Sequence, residues 1–127
     1  MDTDVVSYLL NRHSMAEAYE ELLIGYAPLI SFMTVAEMYR GALKRSWGPR
    51  RMAELDEHLR QFAVVPCNFP VCISYAKITN AAERRGKPVA TADALIAASA
   101  LSLGIPLATN NKRHFQAIEG LTVISAR

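Results

Sequence analysis

The sequence predicts an α/β domain: an open parallel sheet of short strands with helices on both faces. Helical segments alternate with short apolar runs along the whole chain, the pattern of a parallel sheet whose crossovers are helices. The 127 residues are long enough for one real core and show no repeat, low-complexity tract or linker. Gly48-Pro49, Gly86 and Gly104 fall between the periodic segments rather than within them.

Taken in order, Val5 to Asn11 reads as a short helix with Val5, Val6, Leu9 and Leu10 on its apolar side. Ser14 is placed to cap a second helix through about Tyr26, with Met15, Tyr19, Leu22 and Leu23 as one stripe. Pro28 closes that segment, and Leu29 to Met33 forms a first strand. A helix follows from Thr34 to about Ser46. Another runs from Pro49 to Phe62, with proline at its start where the missing N–H costs nothing. Ala63 to Pro66 is a second strand. A long helix spans Phe69 to Arg85 and stops at Gly86. Thr91 opens a nearly all-apolar helix that ends at Gly104. Pro106 to Thr109 is a third strand, Lys112 to Ile118 a short helix, and Leu121 to Ile124 a fourth strand.

Bulk properties narrow the function classes. A net charge of +2 permits a nucleic-acid partner without arguing for one. Cys67 and Cys72 are the only cysteines, and no second Cys or His pair at metal-finger spacing accompanies them. The expectation is two reduced, mostly packed thiols in a cytoplasmic protein. No stretch reaches the roughly 20 apolar residues of a membrane span, and the acidic N-terminus lacks a signal-peptide pattern.

The chemistry lies in three places where a carboxylate adjoins apolar sequence. Asp93 sits in the first turn of the apolar helix. A carboxylate buried there must be neutralised, hydrogen-bonded or bound to a metal. Glu37 follows the first strand at the start of the next helix, and Asp2, with Asp4 close by, precedes the first helix. In an open parallel sheet, strand ends and the helix starts after them gather along one edge, where such folds bind ligands. Carboxylates gathered there repel one another unless a divalent cation joins them, and all-oxygen ligands suit Mg²⁺ or Mn²⁺. Taken singly, each acid also has a plain structural reading. Thr34-Val35-Ala36-Glu37 is a capping box, Asp93 complements a helix dipole, and Asp2 or Asp4 can cap the first helix.

Four segments in order resemble the PIN domain, in particular the VapC-type toxins of toxin–antitoxin pairs. Asp2-Thr3-Asp4-Val5-Val6-Ser7 resembles the opening motif. Ile30 to Gly41, containing Glu37, resembles the second. Asp93-Ala94-Leu95-Ile96-Ala97-Ala98-Ser99-Ala100-Leu101 resembles the third, and Leu107 to Phe115 the fourth. The resemblance implies a Mg²⁺- or Mn²⁺-dependent endoribonuclease in which Asp2, Glu37 and Asp93 are catalytic and hold the metal. It implies that Thr109 supports the acidic cluster by hydrogen bonding. Asn111 stands where many members carry a fourth acid, which weakens any second metal. The resemblance also implies a VapB-like antitoxin helix bound in an apolar groove, and a homodimer. In the family a hydrophobic strand precedes the first Asp. Here only Met1 does, so the expectation is a single PIN-like domain over 1–127 lacking its usual first strand, with a start truncated from the natural one.

Several basic clusters offer phosphate contacts: Arg40, Lys44 and Arg45 on the helix of Glu37, Arg50 and Arg51 after Trp47, and Arg84, Arg85 and Lys87. Arg40, Lys112 and Arg113 are the RNA-binding candidates. His114 reads as core-edge packing beside Phe115 rather than as a general base. The apolar stripes of the first helices (Leu9, Leu10, Tyr19, Leu22, Leu23) and of the helix after Trp47 (Met52, Leu55, Leu59) read mostly as core. Two rival functions are open at this point. Asp2-Thr3-Asp4-Val5-Val6 and Leu107-Ala108-Thr109 also fit phosphatases of the haloacid-dehalogenase type, but the downstream acidic pair is missing, since only Glu119 follows Asp93. The other rival is a catalytically degraded PIN domain that binds a protein or RNA without cutting.

Overall fold

The computed structural model describes residues 1–126. Seven helices and four short strands follow one another in these residues: α1 (Thr3–Asn11), α2 (Ala16–Leu22), β1 (Leu29–Ser31), α3 (Phe32–Lys44), α4 (Pro49–Leu59), β2 (Ala63–Val65), α5 (Phe69–Arg84), α6 (Thr91–Leu103), β3 (Leu107–Ala108), α7 (Lys112–Phe115) and β4 (Val123–Ile124). The strands pair in parallel, as the alternation requires. β1 lies beside β2 with Ile30 opposite Val64, and β3 beside β4 with Leu107 opposite Val123.

One open sheet was predicted, whereas the structure has two parallel pairs joined through two residues. Met1 N donates to Leu29 O at 2.9 Å and Asp2 N donates to Ala108 O at 2.8 Å. Met1 and Asp2 therefore take the central position between β1 and β3, too short a segment for a continuous ladder. Beside them an apolar cavity of about 210 Å³ runs between Pro28, Leu29, Ile105 and Pro106.

Adjacent strand residues point to opposite faces, so each face of the sheet has its own core. Leu29 packs against a cluster built from α5, α6, β3 and α7, including Val71, Ile96, Leu107 and Phe115. Ile30, one residue on, belongs to a second cluster with Val6, Met38, Leu55 and Leu59 from α1, α3 and α4. The expected coverage of both faces is present. The predicted apolar stripes are largely core, with Tyr19, Leu55 and Leu59 buried.

Two boundaries differ from expectation for local reasons. Ser14 does not cap α2. The helix starts at Ala16, and the Met15 N–H donates to His13 Nδ1 at 3.1 Å. The first strand ends at Ser31 because Ser31 itself caps α3, accepting from Met33 N at 3.1 Å. Both cysteines are exposed rather than packed. Among the described residues no helix is long and apolar enough to cross a membrane.

Ser31 also ties the two cores together. It is buried, and Ser99 Oγ of α6 lies 2.8 Å from its hydroxyl. The start of the helix carrying Glu37 is thereby fixed to the helix carrying Asp93.

Candidate active site

Asp2 is the anchor of the site. It caps α1, with Oδ1 accepting from Thr3 N at 2.8 Å. Its other oxygen, Oδ2, accepts from the Thr109 hydroxyl at 2.7 Å. Asp2 and Thr109 are both buried, Thr109 completely. Thr109 Oγ1 accepts in turn from Asn111 N at 3.0 Å, so the same residue shapes the turn after β3. A buried carboxylate needs such donors, because it loses its water without a counter-charge.

Glu37 is not spent on a capping box. Ser31, not Thr34, is the cap of α3, which leaves Glu37 in the second turn with its side chain free to reach across to α1. There Thr3 Oγ1 donates to Glu37 Oε1 at 2.6 Å and lies 3.1 Å from Thr34 Oγ1. Glu37 is half-buried.

Asp4 ties the first motif to the fourth. Its Oδ1 accepts from Val5 N at 2.7 Å, and its Oδ2 accepts from Asn110 N at 3.0 Å and Asn111 Nδ2 at 3.3 Å. Asn110 is itself held by Tyr19, whose hydroxyl donates to Oδ1 at 2.9 Å, and by Tyr8, whose hydroxyl accepts from Nδ2 at 3.1 Å. Asn111, the position of the expected fourth acid, spends its amide on Asp4.

Asp93 sits in the first turn of α6, half-buried, with Oδ2 3.2 Å from His114 Nδ1. Its carboxyl is pushed above the usual range by burial and by the charge of Asp2, while His114 opposes the rise. Asp4 is pushed up to about 6, first by burial and then by Asp2, against the hydrogen bonds from Asn110 and Val5. Asp2, Asp4 and Asp93 therefore share one electrostatic field, with Asp2 between the other two.

The shared field has a pH signature. A raised folded-state pKa means the folded chain holds more protons than the unfolded chain, so stability is highest below the unfolded value and falls as pH rises. For Asp4 the window runs from 3.8 to about 6. The metal-free protein should lose stability relative to Asp4→Asn between these limits. Asp4 is partly solvent-screened, so the relative loss should be only about 1 kcal/mol. Paired thermal melts across this range check it. Parallel pH curves would show that folding does not raise the Asp4 carboxyl.

Among the described residues no three His, Cys, Asp or Glu side chains stand close enough to one point to hold a metal ion. Asp2 and Asp93 are electrostatic neighbours, and Glu37 reaches the same edge through Thr3.

A family model described as the PIN domain matches residues 1–121. The chain belongs to the PIN domain family. Ribonuclease VapC1 of Haemophilus influenzae strain R2866 is 30% identical over 95% of this chain and 92% of its own length. The tRNA(fMet)-specific endonuclease VapC of Shigella flexneri is 26% identical, with the same two coverages of 95% and 92%. Among solved structures, the VapBC-1 structure from nontypeable H. influenzae superposes with a TM-score of 0.84 at 29% identity, covering 98% of this chain and 95% of that one.

Two depressions flank the acids of this PIN domain. One, about 240 Å³, is lined by Thr3, Asp4, Glu37, Arg45 and Trp47. The other, about 440 Å³, is lined by residues 110–114. Lys112 and Arg113 lie in the second of these depressions. However, Arg45, the cap residue just after α3, rather than Arg40, lines the cleft of Glu37. The two are five positions apart, well over one turn, so they project from different sides of the helix.

Sequence reasoning missed Thr3, the residue that links Glu37 to the first motif, and it misread His114. The ring is exposed and stands 3.2 Å from Asp93 Oδ2, although it also tilts against Phe115. A hydroxyl between two acids in Asp2-Thr3-Asp4 was the available signal for Thr3. His114 left none, because its partner is distant in sequence.

Proposed function

We propose that this protein is a Mg²⁺- or Mn²⁺-dependent endoribonuclease, the toxin of a VapBC-like toxin–antitoxin pair. The observation that carries the reading is the acid cluster at the edge of the PIN fold, where burial and then the neighbouring Asp2 both disfavour ionisation of Asp4 and Asp93. Hard carboxylate oxygens that repel one another fit a divalent cation that keeps several waters. Asp2, Glu37 and Asp93 are the residues that would hold it. When bound, such a cation supplies a more acidic water and stabilises charge developing on a phosphodiester.

The chain's own residues do the remaining work. Thr109 and the Thr3 N–H each hold one oxygen of Asp2 and orient it in a buried place. Thr3 holds Glu37 on the same edge. Asp4 fastens the Asn110–Asn111 turn, and with it Lys112 and Arg113, beside the acids. In this reading these two cations and Arg45 take RNA phosphates on either side of the cluster.

With the inactive Asp93→Asn protein as background, Lys112→Ala and Arg113→Ala should each weaken RNA binding. Each should also reduce the slope of log affinity against log salt by about 0.7. Fluorescence anisotropy with single-stranded RNA from about 50 to 200 mM salt measures it. An unchanged slope removes that residue from the RNA track.

The similar solved structures from Rickettsia felis and H. influenzae are VapBC assemblies, which supports an antitoxin partner here, docked as a helix in an apolar groove. A homodimer is the matching expectation for the toxin. A binding-only PIN domain is the second reading. It is favoured by Asn111, whose amide binds Asp4 where a fourth acid was expected. Cleavage of a structured RNA pool with Mg²⁺ or Mn²⁺ against EDTA separates the two readings.

A further inference from the structure

The depression beside Glu37 is a groove between α1 and α3 that leads away from the acids. Thr3, Ser7 and Asn11 line one wall, and Glu37, Gly41 and Arg45 the other. Each set is spaced by four residues, so each forms a stripe along its helix. From Glu37 to Arg45 the groove runs about 12 Å at the helical rise. Gly41 leaves the middle without a side chain, and the Arg45 guanidinium lies beside it. A Cβ at Gly41 would stand 3.4 Å from Arg45 Nη1. Trp47 lines the far end.

The local fold sets Trp47 there. α3 ends in a Schellman motif, with Ser46 left-handed at φ 54° and Trp47 N donating to Ala42 O at 3.1 Å. Serine carries a steric cost in that conformation that glycine would not. The turn brings the indole against the second core. Arg51 of α4 lies over the ring, its Cζ 3.9 Å from the centroid, and donates to Asn11 Oδ1 at 3.0 Å. Asn11 Nδ2 donates in turn to Ser7 Oγ at 3.2 Å. The aromatic end of the groove is thereby tied back to α1 before any ligand arrives.

The order of groups along the groove fits a nucleotide. Acids stand at one end, neutral hydroxyl and amide groups in the middle, and a cation with an aromatic ring at the other. A track for phosphates alone would carry cations throughout. Unpaired RNA bases are recognised instead by stacking on aromatic and guanidinium planes and by hydrogen bonds to their edges. We propose that this groove is a nucleobase subsite: an unpaired base next to the scissile phosphodiester lies against Trp47, with its phosphate on Arg45. The proposal rests on the ribonuclease reading above.

Trp47 is the single tryptophan of the chain, so its fluorescence reports on this groove. The test uses the full chain carrying Asp93→Asn as parent, in Mg²⁺ buffer. Tryptophan emission and anisotropy are followed together during titration with an end-labelled single-stranded RNA and with an abasic strand of the same length. The RNA should quench Trp47 as it binds, and the abasic strand should bind with little quenching. Trp47→Ala should weaken RNA binding by about 5- to 100-fold, and Trp47→Phe should keep most of the affinity. Gly41→Leu fills the groove, leaves the core contacts of the indole in place and replaces a glycine inside a helix, so it should fold. It should lose the quenching and bind RNA more weakly than the parent. Melting curves identify the folded variants, and affinity is read from Gly41→Leu if Trp47→Ala unfolds. RNA that binds the parent without quenching Trp47 overturns the subsite and leaves the groove to a protein partner. Parent-like affinity in a folded Trp47→Ala or Gly41→Leu, or equal quenching by the abasic strand, overturns it too. A folded parent that binds no RNA overturns the ribonuclease reading as well.

Discussion

Asp93→Asn is expected to lower metal-dependent RNA cleavage by roughly 10²–10³-fold or more, the scale of losing one preorganised charge at a reacting phosphate. The substitution is nearly isosteric and its amide oxygen can still accept from His114, so the fold should survive. The metal-free melt should stay at or above the parent's, because burial and Asp2 both disfavour the ionised form of Asp93. The ligand is lost while the scaffold remains. Purified parent and variant, both shown folded by circular dichroism, are compared on a structured total-RNA pool with Mg²⁺, Mn²⁺ or EDTA. Discrete cuts that need both the metal and Asp93 meet the expectation. If Asp93→Asn cuts as fast as the parent, Asp93 has no catalytic role. If neither protein cuts yet both bind RNA, the binding-only reading stands.

Thr109→Val is expected to have the largest effect on stability of any single change at the site. The shapes match, so no cavity forms. What disappears is the hydroxyl that donates to the buried Asp2 carboxylate and accepts from Asn111 N. A hydrogen bond to a charged group contributes about 1.5–3 kcal/mol, and stranding the charge is the costly direction. The parent should melt roughly 10 °C higher than Thr109→Val. Thr109→Ser restores the hydroxyl and should recover most of the difference, apart from one buried methyl. A Val variant that melts with the parent would mean that Asp2 finds its donors elsewhere. Thr109 would then be core filler rather than support for the acid.

The two experiments probe different levels of the same arrangement. Asp93 tests what the cluster does, and Thr109 tests what it costs to hold acids together in a dry place. A divalent cation should narrow the cost, because any ligand bound only by the folded state adds stability by mass action. Mn²⁺ should therefore raise the melting temperature of the parent and not that of Asp93→Asn.

Much of this protein is determined by sequence alone. The alternation of helices and apolar runs fixes a parallel α/β architecture, because periods of 3.6 and 2 bury different faces and only helices cross over between short parallel strands. Pro49, Gly86 and Gly104 mark helix ends through backbone freedom that is local to each residue. Asp2, Glu37 and Asp93 stand out in the chain because each carboxylate sits against apolar sequence, whereas Thr109 is indicated only by the resemblance to the PIN domain. Tertiary structure decided what those groups are bonded to. Whether Glu37 caps its own helix or reaches Thr3 depends on Ser31 taking the cap, and Ser31 is held by Ser99, 68 residues away. His114 meets Asp93 only because Phe115 anchors α7 beside α6, and Arg45 replaces Arg40 at the cleft because of how α3 is turned against the second core. Such choices turn on contacts between distant segments, whose free energies appear only once the chain has closed around them.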